Sequence, residues 1–336
     1  ANGSKQNRMI FVRDELRLNY GESMRIEFQK WILFLLASVF SGCGYTDFTA
    51  LHSKDMTADP VIAAAGDIAC DPADSNYNAG AGTQTACHMK ATSDLLLEIN
   101  PVAVLTLGDN QYEVATLDEF KQSFDPTWGR LKSIIHPAVG NHEYKTPGAS
   151  GYFNYFRAAA GNPERGYYSY NIGTWHIIAL NSNCSEIGGC GFGSPQERWL
   201  RADLAANPAF CTLAYWHHPR FSSGRYGNNP EYEAFWQDLY NAGADVVLVG
   251  HEHNYERFAP QDPTGVADPV RGIRQFIVGT GGKNFSPFVN VQTNSEVRNS
   301  DTFGVLVITL HPNGYDWRFV PEPGKRFTDS GSALCH

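Results

Sequence analysis

Apolar runs recur along this chain, and each ends in a residue able to bind a metal. Val102–Leu107 follows Asn100-Pro101 and stops at Gly108-Asp109. An unbroken apolar and β-branched run of this length predicts a strand buried on both faces of a parallel sheet. Val61–Ala65 stops at Gly66-Asp67, and Ile134–Val139 at Gly140-Asn141-His142-Glu143. Cys211–Trp216 stops at His217-His218-Pro219, and Asp245–Val249 at Gly250-His251-Glu252-His253. Ligands of open α/β sheets gather outside the carboxyl ends of strands. One Gly-Asp is an ordinary turn; a series of oxygen and nitrogen donors at successive strand ends predicts a metal site.

Between these runs the period changes. Met89–Ile99 has helical spacing and stops before Asn100-Pro101, as a helix should. Leu117–Phe124 and Glu231–Asn241 predict two more helices. Ser194-Pro195-Gln196-Glu197 is a capping box with Pro at the first helical position, opening a helix to about Ala206. Gly166–Asn171 and Thr174–Leu180 flank Ile172-Gly173 and predict a hairpin. Asp71–Thr85, rich in Asn, Gly and Ala, predicts a surface loop. Arg274–Val278, Gly304–Leu310 and Tyr315–Val320 predict a closing antiparallel region. Strand–helix–strand order implies right-handed crossovers and a parallel sheet. The expected fold class is α/β, two sheets face to face with helices outside, in one domain over residues 57–336.

The amino-terminal stretch differs from the rest. Met24–Lys30 is mildly basic, Trp31–Phe40 is a short apolar block, and Ser41-Gly42-Cys43 follows. That order predicts an export signal within residues 1–56. The apolar block is short for a membrane span, and Ser-Gly-Cys resembles a bacterial lipobox. A lipidated Cys43 would be the route to a membrane, and the protein would be secreted, periplasmic or held at the cell envelope. Setting Cys43 aside leaves six cysteines, an even number that suits an oxidising compartment. Proximity in sequence suggests Cys70–Cys87 and Cys184–Cys190, leaving Cys211–Cys335. Cys87-His88 beside Cys70 could instead hold a metal. The net charge of −9 argues against a nucleic-acid scaffold as partner.

Asp67, Asp109, Asn141, His217, His251 and His253 form a mixed oxygen and nitrogen set without thiolate. Two metals sharing one carboxylate need such a set, to hold an anionic ester and activate water for in-line displacement. The donor types suit zinc, iron or manganese. Gly66-Asp67, Gly108-Asp109-x-x-Tyr112, Gly140-Asn141-His142-Glu143, His217 after a strand and Gly250-His251-x-His253 together resemble the calcineurin-like metallophosphoesterases. The resemblance runs from Pro60 to about Arg257. It implies a four-layer α/β/β/α sandwich of two mixed sheets. Ile68-Ala69 replaces the usual Asp-x-His of the first motif, and with Tyr112 this is similar to the purple acid phosphatases.

Carried over from that resemblance, Asp67, Tyr112 and His253 bind a first metal, Fe3+ paired with a tyrosinate. Asn141, His217 and His251 bind a second (Zn2+, Fe2+ or Mn2+), and Asp109 bridges. His142 contacts the phosphate or protonates the leaving group, and Glu143 orients a histidine. The family's further substrate-contacting histidines after the fourth motif are missing. Arg220-Phe-Ser-Ser-Gly-Arg225-Tyr226 stands there instead, so Arg225 or Tyr226 takes that duty. Asn110 could offer its amide to a bound oxyanion, and Arg257 could also contact substrate, although holding the last loop is its plainer role. His218 reads as a satisfied neighbour of His217; His136, His176 and His311 read as structural. The expected activity is phosphomonoester hydrolysis. A phosphodiesterase or nucleotide hydrolase, and a non-catalytic exported metal- or phosphate-binding protein, are the alternatives. The sequence leaves the oligomeric state open.

Overall fold

The computed structural model describes residues 58–336, so the export signal and Cys43 lie outside the described residues. The first parallel strands are β1 (Val61–Ala65), β2 (Ala103–Leu107) and β3 (Ile135–Ala138), and helix α1 (Met89–Ile99) makes the crossover from β1 to β2. Asn100 ends α1 in the left-handed region at φ 51°, and Pro101 prevents its continuation. The chain then turns through α2 (Leu117–Glu119), which carries a full Thr116–Glu119 capping box and widens into a π turn at Phe120–Phe124. After β3 comes the aromatic helix α3 (Ser150–Phe156).

The second half supplies the hairpin strands β4 (Tyr168–Ile172) and β5 (Trp175–Ala179), helix α4 (Pro195–Ala206) and strand β6 (Cys211–Tyr215). Helix α5 (Glu233–Asn241) leads to β7 (Val246–Val249), β8 (Tyr255–Phe258), β9 (Arg274–Val278) and β10 (Ser295–Asn299). Strands β11 (Gly304–His311), β12 (Gly314–Pro321) and β13 (Ser330–Leu334) finish the chain. One sheet has the order β13-β12-β11-β1-β2-β3 and the other β10-β8-β9-β7-β6-β5-β4. Both sheets are mixed, as the family resemblance implies.

Burial on both faces explains the unbroken apolar runs. In β6 and β7, Leu213, Tyr215, Val246 and Leu248 face the core between the sheets. Their neighbours Ala214, Trp216, Val247 and Val249 meet Leu200 of α4 and Phe235, Trp236 and Leu239 of α5. A strand without a wet face has no reason to alternate. The expected closing antiparallel region needs correction. Strands β11 and β12 are antiparallel beside β1, but Arg274–Val278 (β9) lies in the other sheet, parallel to β7. Strands β8, β10 and β13 carried no apolar signature that predicted them.

Ser194 caps α4 by accepting the Glu197 N–H, but the Glu197 carboxylate returns to the Gly193 N–H rather than to Ser194. It also pairs with Arg201. The disulfides are Cys70–Cys87, Cys184–Cys190 and Cys211–Cys335, as proximity suggested. His176 is structural, held between Asn171 and Asp203.

Buried beside Cys211–Cys335, Asp245 accepts N–H groups from Thr212 and His336. Burial pushes its pKa up to about 7, against backbone hydrogen bonds that oppose the rise. A folded pKa above the unfolded one means that the folded state holds the extra proton. The contribution to stability is full below about pH 4 and is lost as pH rises through 7. Asp245→Asn is therefore expected to shrink the fall in unfolding free energy between about pH 5 and pH 8, read by urea titration at each pH. An unchanged difference would mean that Asp245 titrates normally.

Candidate metal centre

The carboxyl ends of strands from both sheets meet at one place. Gly66, just after β1, donates its N–H to the Val278 carbonyl at the end of β9, and Gly250 donates to the His217 carbonyl. Three of the strand-end residues then turn through left-handed backbone: Asp67 at φ 58°, Asp109 at 46° and His251 at 69°. Non-glycine residues rarely adopt this region, and such strain clusters at functional sites. The sharp turns bring side chains from successive loops onto one cluster.

Two groups of donor atoms share one oxygen. In the first, the Tyr112 hydroxyl lies 2.9 Å from Asp67 Oδ1, 3.0 Å from Asp109 Oδ2 and 3.0 Å from His253 Nε2. In the second, His217 Nε2 lies 3.1 Å from Asn141 Oδ1, 3.3 Å from the same Asp109 Oδ2 and 3.2 Å from His251 Nδ1. His217 Nδ1 lies 2.8 Å from the Leu107 carbonyl. A carbonyl only accepts, so Nδ1 carries a proton and Nε2 is the atom that faces the cluster. The Asn284 amide likewise meets His253 Nδ1 at 2.8 Å, on the side away from the cluster.

Lone pairs converging in a buried space call for a cation. Asp67, Asp109, Tyr112 and His217 are all buried. Burial would raise the Asp109 pKa, but the His217 charge and the hydrogen bonds from His217 and His142 hold it well below the ordinary range. Burial would lower the His217 pKa, yet the Asp109 charge raises it to about 9. Protons thus stand where positive charge is wanted, and bound metal would displace them. The phenol of Tyr112 is pushed well above its usual value by burial and the Asp109 and Asp67 charges. A tyrosinate here needs a cation beside it. Tyr112, Asp67 and His253 could hold one ion and Asn141, His217 and His251 another, with Asp109 between them.

Two glycines permit this approach. A Cβ at Gly108, where φ is +83°, would lie 2.6 Å from His217 Nδ1. One at Gly140 would lie 2.2 Å from both the Asp109 backbone N and Asp109 Oδ1. Gly140→Ala is expected to displace the shared carboxylate and to cut metal retained after gel filtration by at least about half. Native metal content in that variant would show that the loop yields freely.

Other candidate residues have different surroundings. His142 is half-buried against the Tyr112 ring, with its Nε2 3.9 Å from Asp109 Oδ2. Its Nδ1 meets the Glu113 carbonyl at 2.7 Å. Tyr226 sets its exposed ring 4.3 Å from the His251 ring, and Arg225 is exposed in the same loop. Asn110 is a correction: it is fully buried, and its amide donates to the Ala138 carbonyl rather than facing the open side of the cluster. Glu143 is another, because it meets backbone N–H groups of Gly140, Asp109 and Gln111 instead of a histidine. Arg257 is committed to Asp329 and Glu296. Cys70 and Cys87 are joined to each other, which removes them as metal ligands.

Sequence reasoning passed over Asn284 and Ser182. Asn284 follows β9 through Gly279-Thr280-Gly281-Gly282-Lys283, another apolar run ending in a glycine-rich turn. That repeat of the strand-end pattern was a usable signal. Ser182 meets the Nδ1 of His218 at 2.8 Å and has no comparable signature.

A sequence model described as calcineurin-like phosphoesterase matches residues 61–255, more than half of the chain. The chain belongs to the calcineurin-like phosphoesterase family. Among curated relatives of this chain, an uncharacterized protein of Mycobacterium tuberculosis is 28% identical over 55% of this chain and 42% of its own length. Purple acid phosphatase 15 of Arabidopsis thaliana is 28% identical over 48% of this chain and 37% of its own. The chain thus spans well under two thirds of either relative. The purple acid phosphatase PPD1 of yellow lupin shares the fold at a TM-score of 0.68 and 17% identity, over 82% of this chain and 53% of that one.

Proposed function

We propose that this chain is a dinuclear metal-dependent phosphomonoesterase of purple acid phosphatase type. In this reading residues 57–336 form the catalytic domain, and residues 1–56 carry an export signal ahead of it. The observation that carries the proposal is Asp109 Oδ2, one buried carboxylate oxygen common to both donor groups. Asp67, Tyr112 and His253 would hold the first ion, and Asn141, His217 and His251 the second. Fe3+ suits the phenol side; Zn2+, Fe2+ or Mn2+ suits the other. When bound, the pair would supply Lewis acidity toward the phosphoryl oxygens and toward a water. The three disulfides support an exported protein.

The chain's own residues do the rest. Left-handed turns at Asp67, Asp109 and His251 fix the donors before substrate arrives. The Glu113 carbonyl and the Lys145 ammonium both meet His142 Nδ1, at 2.7 Å and 3.0 Å, and hold the ring with Nε2 toward the Asp109 side. There His142 would give a proton to the departing alkoxide. Tyr226 and Arg225 would border the entrance. His142→Ala is expected to lower turnover about 10²–10⁴-fold while metal content stays native. Metal loss in that variant would mean that His142 serves the ligand shell.

The test compares an aryl phosphomonoester with the matching diester, using purified protein loaded with iron and zinc. Faster monoester hydrolysis and a visible ferric–tyrosinate band are expected. Preference for the diester would make the protein a phosphodiesterase. Bound metal with turnover of neither ester would leave a binding protein.

A further inference from the structure

A cavity of about 430 Å³ opens beside the donor cluster, lined by Asn141 and His218 on the cluster side. Asn183, Ser185, Glu186 and Glu231 complete much of its wall. We infer that this cavity receives the alcohol part of the ester, and that it fits a small polyhydroxylated alcohol, as in a sugar or polyol monophosphate. The inference rests on the phosphomonoesterase reading and narrows its substrate class.

The wall carries hydroxyls, amides, carboxylates and the Lys145 ammonium, which also pairs with Glu113; all are groups that hydrogen-bond to neighbouring hydroxyls. Glu186 and Glu231 are exposed, and carboxylates accept from diols with both oxygens. Neither tyrosine of the wall stands fully open for stacking. Tyr232 is buried, with its hydroxyl tied to the Ser182 carbonyl, and half-buried Tyr144 accepts an amide N–H from Asn181. An aryl or nucleobase leaving group would want an aromatic platform here.

At the floor, Ser182 Oγ accepts the His218 backbone N–H at 3.0 Å and lies 2.8 Å from His218 Nδ1. Its own hydroxyl proton is best used toward Nδ1, which places the ring proton on Nε2. The His218 ring, 4.4 Å from the His251 ring, stands between the cluster and the cavity. The Cys184–Cys190 bridge braces the loop that supplies Asn183, Ser185 and Glu186.

The experiment measures kcat/KM for glycerol phosphate, a hexose phosphate and an aryl phosphate, in the metal-loaded wild type and in the Glu186→Gln/Glu231→Gln double variant. The wild type is expected to prefer a polyol ester, and the polyol-to-aryl ratio is expected to fall about tenfold in the variant. Aryl preference in the wild type, or an unchanged ratio, would overturn the inference while leaving the phosphomonoesterase standing. Hydrolysis of none of the three esters would remove both. Metal content and circular dichroism of the variant separate loss of selectivity from loss of structure.

Discussion

Replacing Asp109 by Ala is expected to abolish phosphomonoester hydrolysis and to strip both ions from the protein. Among the described residues no other side chain contributes to both donor groups: its Oδ2 lies 3.0 Å from the Tyr112 hydroxyl and 3.3 Å from His217 Nε2. Its Oδ1 accepts the His142 N–H at 2.9 Å, so the loop carrying the proposed proton donor is tied to the same group. Removing a shared carboxylate therefore costs more than removing a ligand of one ion. A loss of turnover of at least about 10⁴-fold is expected, comparable with removal of a central group in other enzymes. The fold should survive, because removing Asp109 also relieves the repulsion between buried carboxylates. Metal analysis, turnover and thermal unfolding on one preparation decide the matter. Retention of two equivalents of metal would refute the bridging role, whatever the activity.

The donor cluster of this molecule was legible because its strands are buried twice. Apolar runs such as Val102–Leu107 and Val246–Val249 have no polar face, so their ends are sharp, and a glycine followed by a donor of the cluster stands after each. The three unpredicted strands fail that condition. Ser295–Asn299 and Ser330–Leu334 are edge strands without an apolar face. Tyr255–Phe258 hides Glu256 in its middle, where Ser223 and Ser295 satisfy the carboxylate. No local pattern reports a partner so far away in sequence.

The donor residues could be named from sequence, but the orientation of their neighbours could not. Asn110 stands beside Asp109, yet its amide turns to the Ala138 carbonyl. Glu143 follows His142, yet it serves the backbone. In both cases the deciding contact is with a main-chain group, and main-chain groups leave no mark in the identity of residues. The left-handed backbone at Asp67, Asp109 and His251 was equally invisible, since Asp and His announce no such turn as glycine does.

Glu143 gives the second large effect. Its carboxylate accepts N–H groups from Gly140 at 2.7 Å and from Asp109 and Gln111 at 3.1 Å each. These belong to the loops after β3 and β2, so one buried side chain sets the distance between Asn141 and Asp109. Burial and the Asp109 charge raise its pKa above the carboxylate range. Ions bound at the cluster would oppose that rise and let Glu143 keep its charge. Glu143→Ala leaves three donors facing a void, at about 1–3 kcal/mol for each one left without a partner. A fall in Tm on the order of 10 °C is expected, with loss of the second ion at temperatures where the variant is still folded. Glu143→Gln tests the positioning role separately. Its amide keeps one acceptor but turns an NH2 toward backbone donors, so it should keep more stability than Ala and still bind metal weakly. Activity in Glu143→Gln should recover partly when excess metal is supplied, as expected of a residue that places ligands. If Gln matches the wild type in metal affinity, the two loops are held by the rest of the fold and Glu143 merely fills the space between them.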